Sequence, residues 1–541
     1  MKKILIYGLS ALMAVTSSFT LTSCIDDVTP TSGVTDGQLG DTEETSEALV
    51  LGLNNQFTKA WMASYHFTCG YAGLMIIRNI QSGELAFDQG GVNYNQWKNW
   101  YWDIYWGREY LTAQYMWQYQ TSVVLAINKA IASCDTINGT DSEKGLAAIS
   151  FVYRAMMYLD MAREYEFLEN DKTQPKSPEG NNILGLTVPI VTEKTTEAES
   201  RKNPRATKEA MVEFIKKDLQ AAEKFINLAP SSILQYPSMP GLDVVYGLYA
   251  RLYMWEGNYT QAERYARLAI DETSTKPMTK EEALSITSGF NDATKWMWGA
   301  TYSDGAINNL INWVAHMSSE NSFGYSGPTG AGGAGVLPQI ASSLYNKMSN
   351  TDWRKLMFVA PENTPLYGKS SFCDRELGSL LTPYTAVKFR PAGGNVTDYT
   401  KANVSAFPLM RVEEMYLIEA EAAAQSDPAR GKALLESFML TRDEKYRCKA
   451  TDKDAIINEI FTQKQLELWG EGLSWFDIKR LNYPVDKTTS VNFDQMSILK
   501  TTTRPAWMNW SIVQSEETNN SGVLYYNNPD PAGHYSQVNI Q

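Results

Sequence analysis

Between Asp243 and Ile270 the chain reads DVVYGLYARLYMWEGNYTQAERYARLAI, and this stretch leaves few folds open. Tyr246, Ala250, Tyr253 and Met254 recur at helical spacing, Gly257-Asn258 breaks the pattern, and Ala262, Ala266 and Ala269 then recur on one face of a second helix. Small alanines facing large aromatics let two helices pack closely as an antiparallel pair. Such a pair cannot bury its apolar faces alone, so it needs further pairs stacked against it. Similar periodicity runs through 147–166, 213–229, 411–424 and 457–469.

The expected fold is therefore all-α: a tetratricopeptide-like helical-pair scaffold over 111–270 and 406–480, with long loops and minor β structure covering one face. Residues 271–405 have a different texture, rich in Gly, Ser, Asn and Thr. With 90–110 they are expected to form a loop-rich ligand region, since loops on a rigid scaffold are where binding usually sits. No Pro/Gly/Ser linker cuts 47–541, which reads as one domain.

The N-terminus has its own logic. Lys2 and Lys3 precede an apolar run from Ile4 to Phe19, followed by Leu21-Thr22-Ser23-Cys24. This is the layout of a secretory signal over 1–23. The four-residue box resembles the lipobox of bacterial lipoproteins, in which the cysteine is acylated. Each buried methylene then contributes about 0.8 kcal/mol, so Cys24 would hold the chain to a membrane through lipid alone. Asp26 and Asp27 resemble signals that send such lipoproteins to the outer face of the outer membrane. Residues 24–46 are too polar to pack and read as a flexible tether.

Composition excludes several functions. The net charge is −13, with no clustered Lys and Arg, which argues against nucleic acid. Cys69, Cys134, Cys373 and Cys448 lack metal-type spacing and allow three disulfide pairings. With only His66, His316 and His534, a histidine-built metal site is not expected. No cofactor is expected. Gly330 to Gly335 fits G-x-G-x-x-G by letter, but the polar SENSFGYSGPT precedes it where a strand would be needed, so it reads as a loop.

Two aromatic-rich segments lie outside the strongest helical signals. WKNWYWDIYWGREY (97–110) holds seven aromatic residues, four of them among the chain's 15 tryptophans. The second, Trp296 to Tyr325, includes Trp298, Tyr302, Trp313, His316 and Phe323. If both reach one surface, they form one site.

The C-terminal third carries the most specific signal. Phe407-Pro408-Leu409-Met410 leads into RVEEMYLIEAEA (Arg411 to Ala422), and QLELWGEGLSWFDIKR follows at Gln465 to Arg480. These resemble the signatures of the SusD/RagB family of outer-membrane nutrient-binding lipoproteins. The departures are SFMLTRDEKYR after the first signature, Gln463-Lys464-Gln465 before the second, and Ser474 where Arg is common. The resemblance implies a protein outside the cell, on a SusC-type TonB-dependent transporter. Such proteins capture oligosaccharides, or in some members peptides, and pass them to the pore without cutting them.

The residues themselves fit that expectation. A pyranose offers axial C–H groups on one face, and an aromatic ring attracts them while both surfaces leave water. Asn93, Trp97, Trp100, Tyr101, Trp102, Trp106, Tyr302 and Trp313 are the candidate ligand-binding residues, for an oligosaccharide or polysaccharide. Rival readings are a peptide-binding protein of the same architecture, a glycoside hydrolase using Glu467 and Glu471, and a scaffold whose rings are all core. Arg411 with Glu414, and Asp477 with Arg480, read as ion pairs that fix helix packing.

Overall fold

The computed structural model describes residues 43–87, 103–287, 289–304, 310–329 and 335–539. Helix α1 (Glu43–Leu51) starts inside the stretch expected to be tether, followed by α2 (Leu53–Thr58), α3 (Tyr71–Gln81) and strand β1 (Leu85–Phe87). A run of longer helices comes next: α4 (Leu111–Ala132), α5 (Asp141–Tyr165), α6 (Lys208–Phe225), α7 (Leu242–Glu256) and α8 (Tyr259–Glu272). The loop-rich middle holds β2 (Trp298–Thr301), a single helical turn α9 (Trp313–Met317) and β3 (Pro338–Ile340). Strand β4 (Ala406–Met410) then leads into α10 (Val412–Ser426), α11 (Pro428–Met439), α12 (Lys453–Glu467) and α13 (Ser474–Leu481).

Each long helix packs on the next: α4 on α5, α5 on α6, α6 on α7, α7 on α8, α8 on α10, and α10 on α11 and α12. Among the described residues the fold is an all-α stack of helical pairs with two small sheets. Local sequence sets the boundaries. Thr140 and Glu143 cap α5 reciprocally, Asp427 precedes Pro428 at the start of α11, and Asp452 caps α12.

The α7–α8 turn follows the sequence pattern closely. Gly257 takes the left-handed conformation at φ 82°, and the Asn258 side chain accepts from the Gln261 amide at 3.3 Å. Ala262, Ala266 and Ala269 are fully buried, and Tyr249 stacks on Tyr265 with centroids 4.4 Å apart. Gly247 has a separate reason: a Cβ there would lie 2.2 Å from Met410 Sδ, so α7 meets β4 only without a side chain.

The two sheets are antiparallel pairs. In one, β2 pairs with β4, setting Thr301 opposite Ala406. In the other, β1 pairs with β3, setting Phe87 opposite Pro338. This second register brings the chain before residue 88 beside the chain just after residue 335.

A buried ion lattice joins the loop-rich region to the scaffold. Arg411 contacts Glu413 (3.0 Å), Glu467 (3.3 Å) and Glu471 (2.9 Å). Arg442 bridges Glu413 and Glu467, Arg354 reaches Asp352 and Glu467, and Lys388 reaches Glu471 at 2.8 Å. The expected pairing of Arg411 with Glu414 is not what forms. Arg411 is the extended residue before α10, so its side chain turns toward the end of α12, while Glu414, inside the helix, faces Arg251 at 2.6 Å. Asp477 and Arg480 do pair.

The lattice also assigns Glu467 and Glu471. Burial pushes the Glu467 carboxyl up, but Arg442, Arg411 and Arg354 outweigh it and hold it well below the usual carboxylate range. A general acid needs the opposite shift and access to substrate. Glu467→Gln should therefore cost about 3–5 kcal/mol by leaving buried cations undercompensated, as read from urea denaturation at neutral pH. Because the folded-state value is depressed, this stabilisation is present above the unfolded carboxylate range. It is lost only as pH falls below about 4.3, and the Gln variant should lack that share of the acid dependence.

Candidate ligand-binding site

The described part of the second aromatic-rich segment, from Trp296 to Tyr325, meets the loop between α2 and α3 at one place. The loop between α2 and α3 carries Trp61, Tyr65, His66 and Phe67, and α9 carries His316. His66 Nδ1 lies 2.9 Å from His316 Nε2, and His316 Nδ1 lies 2.7 Å from the Asn312 carbonyl oxygen. A carbonyl only accepts, so His316 Nδ1 carries the proton, and Nε2 accepts from His66. Tyr325 completes the stack, its ring 4.0 Å from that of His66 and 5.1 Å from that of His316.

Both imidazoles are held neutral. Burial, then the neighbouring His316, brings the His66 value down to about 2. Burial brings His316 down to about 4, against the opposing pull of the Asn312 carbonyl. The pair is an uncharged, flat, rigid support for Tyr325.

Around it stand rings that keep contact with solvent. Trp61, Tyr65, Phe323 and Tyr325 are half-buried, and Tyr399 is 37% exposed with its ring 6.4 Å from that of Phe323. Backbone bonds tie this cluster to the sheets: Tyr325 N donates to Ala315 O, and Val336 N donates to Tyr325 O two residues before β3. The β1–β3 register sets Phe87 opposite Pro338, two residues beyond Val336.

Three predicted site residues lie elsewhere than expected. Trp106 is 1% exposed and packs against Trp507 at 5.5 Å, beneath the C-terminal segment. Tyr302 is buried where β2 ends, and its hydroxyl accepts from the Trp313 amide at 3.2 Å. Trp313 is fully buried because every residue of α9 faces inward, and its ring meets Phe389 edge-on at 4.8 Å. These rings are core, as bulky side chains at the feet of a loop must be. Asn93, Trp97, Trp100, Tyr101 and Trp102 lie outside the described residues, as does Cys24. In the described end of that segment, Tyr105 is half-buried and Tyr110 is exposed.

Sequence reasoning missed Trp61, Tyr65 and Tyr399. A signal existed for the first two, since WMASYHF crowds three aromatic rings and a histidine into a break between helices. Among the described residues no cluster of His, Cys, Asp and Glu could hold a metal ion, and the four described cysteines are free.

A stack of helical pairs carrying half-open aromatic rings beside loops defines a helical repeat scaffold. The family comparisons sharpen that class. Residues 344–533 match the model described as "SusD family", and residues 78–254 match one described as "Starch-binding associating with outer membrane". Together they take in more than half of the chain, which belongs to the SusD/RagB family. Comparison with curated protein sequences gives no match.

Solved structures share the fold. A SusD-like carbohydrate-binding protein from Bacteroides vulgatus aligns at TM-score 0.67 and 18% identity, covering 89% of this chain and 97% of that one. A SusD superfamily protein from Bacteroides thetaiotaomicron gives 0.65 and 13%, covering 90% and 100%. Surface glycan-binding protein A from Bacteroides uniformis gives 0.61 and 15%, covering 91% and 99%.

The neutral histidine pair has a measurable consequence. Folding excludes the protons that the unfolded imidazoles bind, so their contribution is unfavourable below pH 6.5 and grows as pH falls. Each histidine should remove up to about 1.4 kcal/mol of stability per pH unit until its folded value is reached. Urea midpoints measured at neutral pH and in the acid range should show this loss in the wild type, and a smaller loss in His66→Asn.

Proposed function

We propose that the protein is a cell-surface lipoprotein, acylated at Cys24, that captures an oligosaccharide and delivers it to a SusC-type TonB-dependent transporter in the outer membrane. In this reading residues 1–23 are the removed signal, 24–46 include the tether, and the rest forms one domain. The 93–102 segment supplies Asn93, Trp97, Trp100, Tyr101 and Trp102 to the ligand face. Trp61, Tyr65, Phe323, Tyr325 and Tyr399 complete it, and Tyr302 and Trp313 support it from below.

The observation that carries the reading is the stack of Tyr325 on two neutral imidazoles, ringed by half-open aromatics, in a chain of this family. Uncharged rings suit an uncharged ligand. They give up water to the C–H face of a sugar, while neighbouring amides and hydroxyls set its orientation. The match to a model described as starch-binding and associating with the outer membrane supports both ligand class and location. Among the described residues no helix is long and apolar enough to cross a membrane.

Calorimetric titration with a panel of neutral glycans should show binding by the wild type. Each lost ring costs about 0.5–1.5 kcal/mol, so a Trp97→Ala, Trp100→Ala, Trp102→Ala variant should bind at least about tenfold more weakly with an unchanged melting temperature. Binding of peptides but not of glycans would replace sugar with peptide as the ligand class. Incubation of the lipid-free protein with the same glycans should release no new reducing ends; release would make the protein a hydrolase.

A further inference from the structure

We infer that a second sugar-binding site lies in the groove between the 277–281 turn, Trp353 and the facing surfaces of α10 and α11. The inference rests on the glycan-binding reading above but uses none of the residues assigned to the first face. The groove has a volume of about 490 Å³, within the range of small-molecule sites, roughly 300–1,000 Å³.

Its floor is aromatic and fixed. Trp353 is half-buried, its indole N–H donates to the Thr441 carbonyl at 2.8 Å, and the Arg442 guanidinium lies over its ring at 5.3 Å. Tyr416, also half-buried, stacks on the buried Phe438 with centroids 5.7 Å apart and planes 19° from parallel. Each ring is thus backed by a packed neighbour and held in one orientation, so little rotamer entropy remains to be lost on binding.

The rim is polar and uncommitted. Lys280, Glu281 and Ser437 are exposed, and their side chains make no hydrogen bond or ion pair among the described residues. Arg442 does not act as a free charge in the groove, because Glu413 and Glu467 already engage it. Lys280 and Glu281 cancel, which gives a charged ligand no net attraction. An apolar peptide would leave those groups without use. A pyranose fits both features, with a C–H face for the rings and vicinal hydroxyls that accept from the lysine and donate to the carboxylate. Two sites on one chain would raise avidity for a polysaccharide through effective concentration.

The test uses full-length protein labelled with fluorotryptophan, with the Trp353 resonance assigned from a Trp353→Phe variant. Malto-, cello-, xylo- and manno-oligosaccharides are titrated into the wild type and into the Trp97→Ala, Trp100→Ala, Trp102→Ala variant. The expected result is a saturable shift of the Trp353 resonance in both proteins, abolished by Tyr416→Ala in a variant that melts like the wild type. A fixed Trp353 signal while other tryptophan signals move overturns the second site and leaves the first standing. A panel that moves no tryptophan signal in either protein overturns both.

Discussion

The buried lattice of Arg354, Lys388, Arg411 and Arg442 with Asp352, Glu413, Glu467 and Glu471 is the constraint on which the rest depends. Four cations meet four carboxylates away from water, where an uncompensated charge costs several kcal/mol. The members come from the loop-rich region, from the start of α10, from the segment after α11 and from the end of α12. No one of these parts can bury its charges without the others. Lys388 adds direction, because its ammonium also donates to the Glu467 and Trp469 carbonyls. The irregular middle of the chain is thereby fixed to the helical stack by charge balance, with little regular secondary structure of its own.

From the lattice, the order passes to the His66–His316–Tyr325 cluster through packing. Phe389, next to Lys388, meets Trp313 edge-on and lies near-parallel to Trp469. Trp313 opens α9, which carries His316 into the stack with His66 and Tyr325. Arg390, on the other side of Phe389, pairs with Glu320 and donates to the Ser371 carbonyl. The turn that leads to Phe323 and Tyr325 is held from both sides. The cavity among α5, α7, α10, α12 and α13 shows the opposite use of charge. Its lining includes Arg251, Lys464, Lys479 and Arg480, yet each is engaged by Glu414, by Glu421 with Asp477, or by the Arg163 and Glu164 carbonyls. That cavity is scaffold.

The helical stack was legible because its signals are local. The alanine stripe at Ala262, Ala266 and Ala269 needs only the 3.6-residue period, and Gly257-Asn258 marks the turn between the two helices. The family signatures were legible for a related reason, since the lattice needs particular charges at particular turns of α10 and α12. The proposed ligand face was less so. Trp106, Tyr302 and Trp313 share composition with a binding platform, but burial is decided by partners far away in sequence: Trp507, Phe407 and Phe389. Periodicity carries no information about such contacts. The same limit hid the His66–His316 pair, 250 residues apart.

In the proposed function these buried rings still bear on recognition. A flat aromatic surface gains from a sugar only the area it offers and the order it already has, because immobilising a free side chain on binding costs about 0.5–1.5 kcal/mol. Stacking energies are of the same size, so a mobile ring would return most of what it gains. Tyr325 avoids this by resting on two neutral imidazoles. Histidines charged at the same place would draw water and counterions to a surface that, in the proposed function, has to shed them. Burying the imidazoles sacrifices some acid stability, and in return Tyr325 keeps an uncharged, rigid backing at neutral pH.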